Sequence, residues 1–160
     1  MIENKAIFEA IQRGYSQFEN ANQEEILHYF KEQEQESLGG HVNNIKGILF
    51  EQEYLNKMED QGFDAYLFEH TNHPNSDMLI DNQEFLLKAT DNVCYINETL
   101  ESNPDIPIIA TTEVANLINN DMVIDSGISN TVLEESVSEV LFGTSVGIPF
   151  GIGLLFGLPF

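Results

Sequence analysis

Apolar residues in the first part of the chain recur at helical spacing. The apolar positions of a first helix, within residues 3–20, are Ile7, Ile11, Tyr15 and Phe18. Asn22 can cap a second helix, which runs into the charged segment KEQEQES and stops at Gly39-Gly40. We therefore expect residues 1–40 to form an N-terminal helical hairpin.

The pattern then changes from one long helix to strands. A helix is predicted from His41 to about Asp60, with Gly62 closing it. Three short segments of strand-forming residues follow, with Asp81-Asn82 in the turn between the last two. These segments are DAYLFEH (64–70), DMLI (77–80) and EFLLKAT (84–90).

Helices and strands alternate in the rest of the chain. The predicted elements are a helix at 92–101, a strand at 106–111, a helix at 113–120, a strand at 122–125 and a helix from Asn130 or Thr131. A helix, three strands and then alternation is typical of an α/β fold. We expect residues 41–140 to form an α/β domain with a mixed central sheet flanked by helices.

The charge balance restricts the classes of partner. The chain of 160 residues has 27 acidic residues against 6 Lys and Arg, a net charge of -21, and its last basic residue is Lys88. Proteins that bind nucleic acid draw most of their affinity from Lys and Arg on phosphates, so this charge disfavours nucleic acid and favours a basic protein partner. Cys94 is the only cysteine, and the N-terminus lacks an apolar signal segment, so a cytoplasmic protein is expected.

The final segment, 141–160, is apolar and rich in glycine. No charged residue follows Glu139, and Gly143, Gly147 and Gly151 form a G-x-x-x-G series. Three interpretations stay open: membrane contact or self-association into a homo-oligomer, packing against the domain or a partner, and a cut from a longer protein. Pro149 interrupts the segment and no basic residue flanks it, but we narrowly favour membrane association or self-association.

Three side chains could form a catalytic constellation. Gly47 and Glu51 share one face of the long helix, Asp77 follows His-Pro-Asn-Ser at the start of a strand, and Lys88 lies on the next strand in EFLLKAT. Carboxylates that hold a divalent ion, together with a cation that orients water, are what metal-dependent phosphodiester cleavage requires. Each residue also has a simpler interpretation, as a helix-packing glycine, a surface Glu, a turn Asp or an edge-strand Lys.

In this order, HVNNIKGILFE, NHPNSD and FLLKAT resemble the PD-(D/E)XK nuclease-like superfamily, in particular Q-x-K members with a tail of small residues. The resemblance covers about residues 40–120. It implies a restriction-endonuclease-like fold in which Glu51 and Asp77 hold Mg²⁺ and Lys88 orients the attacking water. Glu51, Asp77 and Lys88 are thus the candidate catalytic residues, with Glu51 and Asp77 as metal ligands.

One position departs from the pattern of this superfamily. Leu86 stands where Gln, Glu or Asp is expected, and Glu84 on the same strand face is about 13 Å from Lys88, too far to replace it. The preferred hypothesis is a degenerate nuclease-like domain that acts as an acidic interaction module in a nucleic-acid-processing or defence/toxin context. The alternative is an active Mg²⁺-dependent DNA endonuclease. His70 and His73 are interpreted as residues of a solvated loop.

Overall fold

The architecture comes from a computed structural model, which describes residues 2–68 and 76–143. Its helices are α1 (Asn4–Gly14), α2 (Gln23–Lys31), α3 (Gln35–Asp60), α4 (Val93–Ser102), α5 (Thr112–Ala115) and α6 (Asn130–Phe142), with a 3₁₀ turn at Ser16–Phe18. Its strands are β1 (Ala65–Leu67), β2 (Met78–Ile80), β3 (Gln83–Lys88), β4 (Ile108–Ala110) and β5 (Val123–Asp125). The predicted α/β class is confirmed.

The strands form one mixed sheet in the order β1-β2-β3-β4-β5. β1 and β2 pair antiparallel, as do β2 and β3, whereas β3–β4 and β4–β5 are parallel. α4 supplies the connection that a parallel pair needs between β3 and β4. The prediction of a mixed sheet flanked by helices is confirmed, while the finer likeness to restriction endonucleases stays a prediction.

The turn between β2 and β3 follows from its two residues. Asp81 and Asn82 both have positive φ, 47° and 72°, and they join the paired residues Ile80 and Gln83. A two-residue loop with positive φ at both positions matches the twist of the strands it joins, and Asp and Asn tolerate that conformation. Asp81 also accepts a hydrogen bond from the backbone N–H of Asp64 through Oδ1, at 3.0 Å. The predicted turn at Asp81-Asn82 is confirmed.

The helix boundaries near Gly39-Gly40 differ from the prediction. α2 begins after Asn22, which forms a capping box with Glu25, but it ends at Lys31 rather than at the glycine pair. α3 begins at Gln35 and continues through both glycines. The predicted stop was therefore wrong, and the long helix begins six residues before His41. Its predicted end at Gly62 is confirmed, since Gly62 has φ 91°.

The described chain divides into two compact units. One contains the residues up to Leu49 together with those from Thr131 onward, and the other is Phe50–Asn130. The second unit holds the sheet, α4 and α5. One face of the sheet carries an apolar cluster of buried side chains: Leu86, Ile96, Ile108, Ala110 and Val114.

Two predicted features fall mostly outside the described residues. These are the loop with His70 and His73 and the part of the apolar tail beyond Gly143. Within residues 2–68 and 76–143, no helix is long and apolar enough to cross a membrane.

Candidate functional site

Asp77 is held against β3 by its backbone and its side chain. It directly precedes β2 and is 9% exposed. Its backbone N–H donates to the carbonyl of Phe85 at 2.9 Å, and its carbonyl accepts from the N–H of Phe68 at 2.9 Å. Its carboxylate oxygen Oδ2 accepts a hydrogen bond from the N–H of Leu87 at 2.8 Å. The carboxylate is thus fixed beside the backbone of the residue that precedes Lys88.

Leu86 and Lys88 lie on one face of β3, because side chains alternate along a strand. Leu86 is 5% exposed and belongs to the apolar cluster with Ile96 of α4, so this face is the one that α4 covers. The Nζ of Lys88 lies 5.3 Å from the centroid of the Tyr95 ring, also in α4. Leu87 points to the opposite face, where it is buried. The lysine is therefore oriented toward α4.

Glu51 is contributed by a different element. It lies in α3, in the same compact unit as the sheet, and its side chain is half-buried. Gly47 lies one helical turn earlier, and its simpler interpretation is a glycine that allows close helix packing. A Cβ built on Gly47 meets no atom of the described residues within 4 Å, so close packing does not explain this glycine.

The donor set for a metal ion is incomplete at one position. The side chain at position 86 is apolar and buried. Glu84 lies two residues before it on β3, farther from Lys88, and is exposed. Within the described residues, no group of three or more His, Cys, Asp or Glu side chains could hold a metal ion. These side chains do not fit the three-position metal site that the nuclease resemblance implies. The smaller set, Glu51 and Asp77 alone, stays a prediction.

A groove of about 310 Å³ lies between the end of β3 and α4. Leu86 and Lys88 line it from the strand. The remaining lining residues are Tyr95, Glu98, Thr99, Ser102 and Asn103. Tyr95 is 42% exposed, and its ring contacts the lysine ammonium in a cation–π geometry. The groove therefore combines a cation, an aromatic ring and several polar groups.

The sequence interpretation missed this face of α4, although a signal for it was present. Tyr95, Glu98, Thr99 and Ser102 have the spacing i, i+3, i+4 and i+7, which places them on one side of a helix. A polar helix face with one tyrosine is usually read as solvated. The tertiary structure shows that this face borders the lysine, because Lys88 contacts the ring of Tyr95 and lines the same groove.

Comparisons of the chain with protein-family models, with curated protein sequences and with solved structures give no match.

Proposed function

We propose that this chain is a degenerate nuclease-like domain that acts as an acidic protein-interaction module. The observation that carries the proposal is Leu86. Where the resembled superfamily has a polar metal-site residue, this chain has a leucine that is 5% exposed and packed in the apolar cluster on the sheet. A leucine side chain cannot coordinate a metal ion. At this position it contributes buried apolar packing instead.

The charge of the whole chain supports the same proposal. With 27 acidic residues against 6 Lys and Arg, the chain repels phosphate backbones and attracts basic surfaces. The partner class is therefore a basic protein. A nucleic-acid-processing or defence/toxin setting is the context that the resemblance to nucleases implies.

The second candidate is an active Mg²⁺-dependent phosphodiesterase. The position of the Asp77 carboxylate favours this candidate. The carboxylate accepts a hydrogen bond from the backbone N–H of Leu87, the residue that precedes Lys88. Mg²⁺ is often held by one or two carboxylates together with water and substrate oxygens. A third candidate, membrane contact or self-association, rests on residues 141–160, most of which lie outside the described residues.

Metal binding and DNA cleavage distinguish the first two candidates. Calorimetric titration with Mg²⁺ and Mn²⁺ and a plasmid-cleavage assay are carried out on the native chain, on Asp77→Asn and on Lys88→Ala. Asp77→Asn keeps an oxygen that can accept the Leu87 N–H, so it tests the charge without removing that hydrogen bond. Glu84→Gln, at an exposed position of the same strand, is the matched control.

The interaction module predicts no binding heat and no cleavage with any of these chains. Metal-dependent cleavage that is retained in Glu84→Gln but lost in both other variants would establish the phosphodiesterase instead. Binding heat that is equal in all four chains would indicate metal attraction by the general acidic surface.

A further inference from the structure

Lys88 differs from the two other lysines that are not exposed, Lys46 and Lys57, in having no anionic or carbonyl partner among the described residues. Lys46 pairs with Glu134 at 2.8 Å, and the ammonium of Lys57 donates to the carbonyl oxygen of Ser126. Within the described part of the chain, the Nζ of Lys88 makes neither an ion pair nor a hydrogen bond, and its only contact of this kind is the Tyr95 ring. Among the described residues, no group therefore compensates the charge of Lys88 directly.

The missing partner is unexpected in so acidic a chain. Acidic residues outnumber Lys and Arg by 27 to 6, and Glu98 lines the same groove as Lys88 without forming an ion pair with it. An anionic ligand in the groove can therefore accept a charge-assisted hydrogen bond from this ammonium without displacing a protein partner among the described residues.

The size and lining of the groove restrict what that group can be. A volume of about 310 Å³ is at the small end of ligand sites, so a small molecule fits better than a folded surface. One ammonium compensates one negative charge, and Glu98 in the wall opposes a second. Leu86 and the exposed side of Tyr95 add apolar lining, which suits a hydrophobic or aromatic group.

We propose that the groove between β3 and α4 is a binding site for a small monocarboxylate with an apolar or aromatic group, whose carboxylate pairs with the Nζ of Lys88. This site is independent of the acidic surface and of metal ions, so it goes beyond the interaction-module function. A phosphodiester substrate is the alternative that the test must separate from it.

The probe for this site is benzoate, titrated into the full-length ¹⁵N-labelled chain at low salt in the presence of EDTA. We expect saturable shifts in the amide NMR signals of the residues that line the groove. Benzyl alcohol and benzylamine, which have the same ring but lack the negative charge, should bind at least about tenfold more weakly. Dimethyl phosphate, a phosphodiester with one negative charge and no ring, should also bind more weakly than benzoate, because it lacks the apolar group that Leu86 and Tyr95 contact.

Variants locate the interaction on Lys88. Lys88→Met keeps most of the aliphatic stem and should weaken benzoate binding by about tenfold or more, whereas Lys88→Arg should retain it. Lys31→Met removes an exposed lysine at the end of α2 and should leave the affinity unchanged. If Lys88→Met alters the fold, the comparison between Lys88→Arg, benzoate and benzyl alcohol still decides the result.

Three results would overturn the proposal. Equal binding of benzoate and benzyl alcohol would show that the negative charge of the ligand does not contribute to binding. Equal loss of affinity in Lys31→Met and Lys88→Met would indicate nonspecific attraction of anions. Tighter binding of dimethyl phosphate than of benzoate would assign the groove to phosphodiester ligands. Because EDTA is present throughout, none of these results depends on the outcome of the metal-binding experiment.

Discussion

Leu86 is the residue on which the comparison with nucleases depends, and its surroundings explain why a polar side chain fits poorly there. It is 5% exposed and is packed with Ile96 of α4 and with Ile108 of β4, the residue opposite it in register. A carboxylate or amide at this position would lose hydration without a partner in the apolar cluster. Leu86, the residue that departs from the superfamily pattern, is therefore part of the packed apolar cluster.

Leu86→Gln tests this explanation. We expect the free energy of unfolding to fall by about 2–4 kcal/mol, because the substitution removes buried apolar area and buries an unpaired amide. Urea denaturation followed by circular dichroism measures the change. We also expect no gain of Mg²⁺-dependent plasmid cleavage.

The matched control is Glu84→Gln, at an exposed position on the same face of β3, which should change stability by less than about 0.5 kcal/mol. A Leu86→Gln chain that is as stable as the native one and cleaves DNA would contradict the argument, since it would show that the site accepts a polar ligand residue.

The sequence predicted the candidate residues but only part of their arrangement. Strand alternation placed Leu86 and Lys88 on one face, and the structure agrees. The Asp81-Asn82 turn sets the pairing register of β2 and β3, but the hydrogen bond from Leu87 to the Asp77 carboxylate also needs the Asp77 side chain to turn toward β3, which the sequence pattern did not indicate. The contact of Lys88 with Tyr95 likewise depends on tertiary packing.

At the scale of elements, the sequence predicted helix starts and turns correctly where one or two residues determine the local backbone conformation. Asn22 caps α2 through its side chain and Asp81-Asn82 forms the turn between β2 and β3, both as predicted. Asn92, predicted only as the start of a helix, caps α4 in the same way. Gly39-Gly40 was wrongly read as a helix stop. Glycine costs a helix about 1 kcal/mol relative to alanine, but burial of other positions in the same helix can offset that cost. Val42 and Ile45, which follow in α3, are fully buried.

This interpretation of α3 predicts that two of its glycines, Gly40 and Gly47, are dispensable for packing. A Cβ built on Gly40 meets no atom of the described residues within 4 Å, and the same is true of Gly47. Gly40→Ala and Gly47→Ala should therefore each raise the free energy of unfolding by about 0.5–1 kcal/mol, measured by urea denaturation.

Gly14→Ala is the control for these substitutions. Gly14 is the last residue of α1, and its added Cβ would collide with Cδ1 of Ile48, so the Ile48 side chain must move and a smaller gain in stability is expected there. Destabilisation by Gly40→Ala would show that the helix is bent or interrupted at the glycine pair, and would restore the predicted stop.

At the scale of the whole molecule, charge opposes folding. A net charge of -21 on 160 residues gives a strong self-repulsion, and folding brings these charges closer together. The ion pair between Lys46 and Glu134 acts in the opposite direction, but Lys46 is buried, so salt screens that pair less than it screens exposed charges. Added salt should therefore weaken the repulsion between the acidic residues more than it weakens the attraction between Lys46 and Glu134.

We expect the stability of the native chain to rise with ionic strength at neutral pH. Raising NaCl from about 20 mM to about 200 mM shortens the screening length from roughly 20 Å to roughly 7 Å and should raise the free energy of unfolding by on the order of 1 kcal/mol or more. Urea denaturation at each salt concentration measures this change.

KCl at the same ionic strength should give the same increase, because screening does not depend on the identity of a monovalent cation. A stability that is unchanged or falls with salt would show that local ion pairs, rather than the net charge, control the electrostatic free energy of this fold.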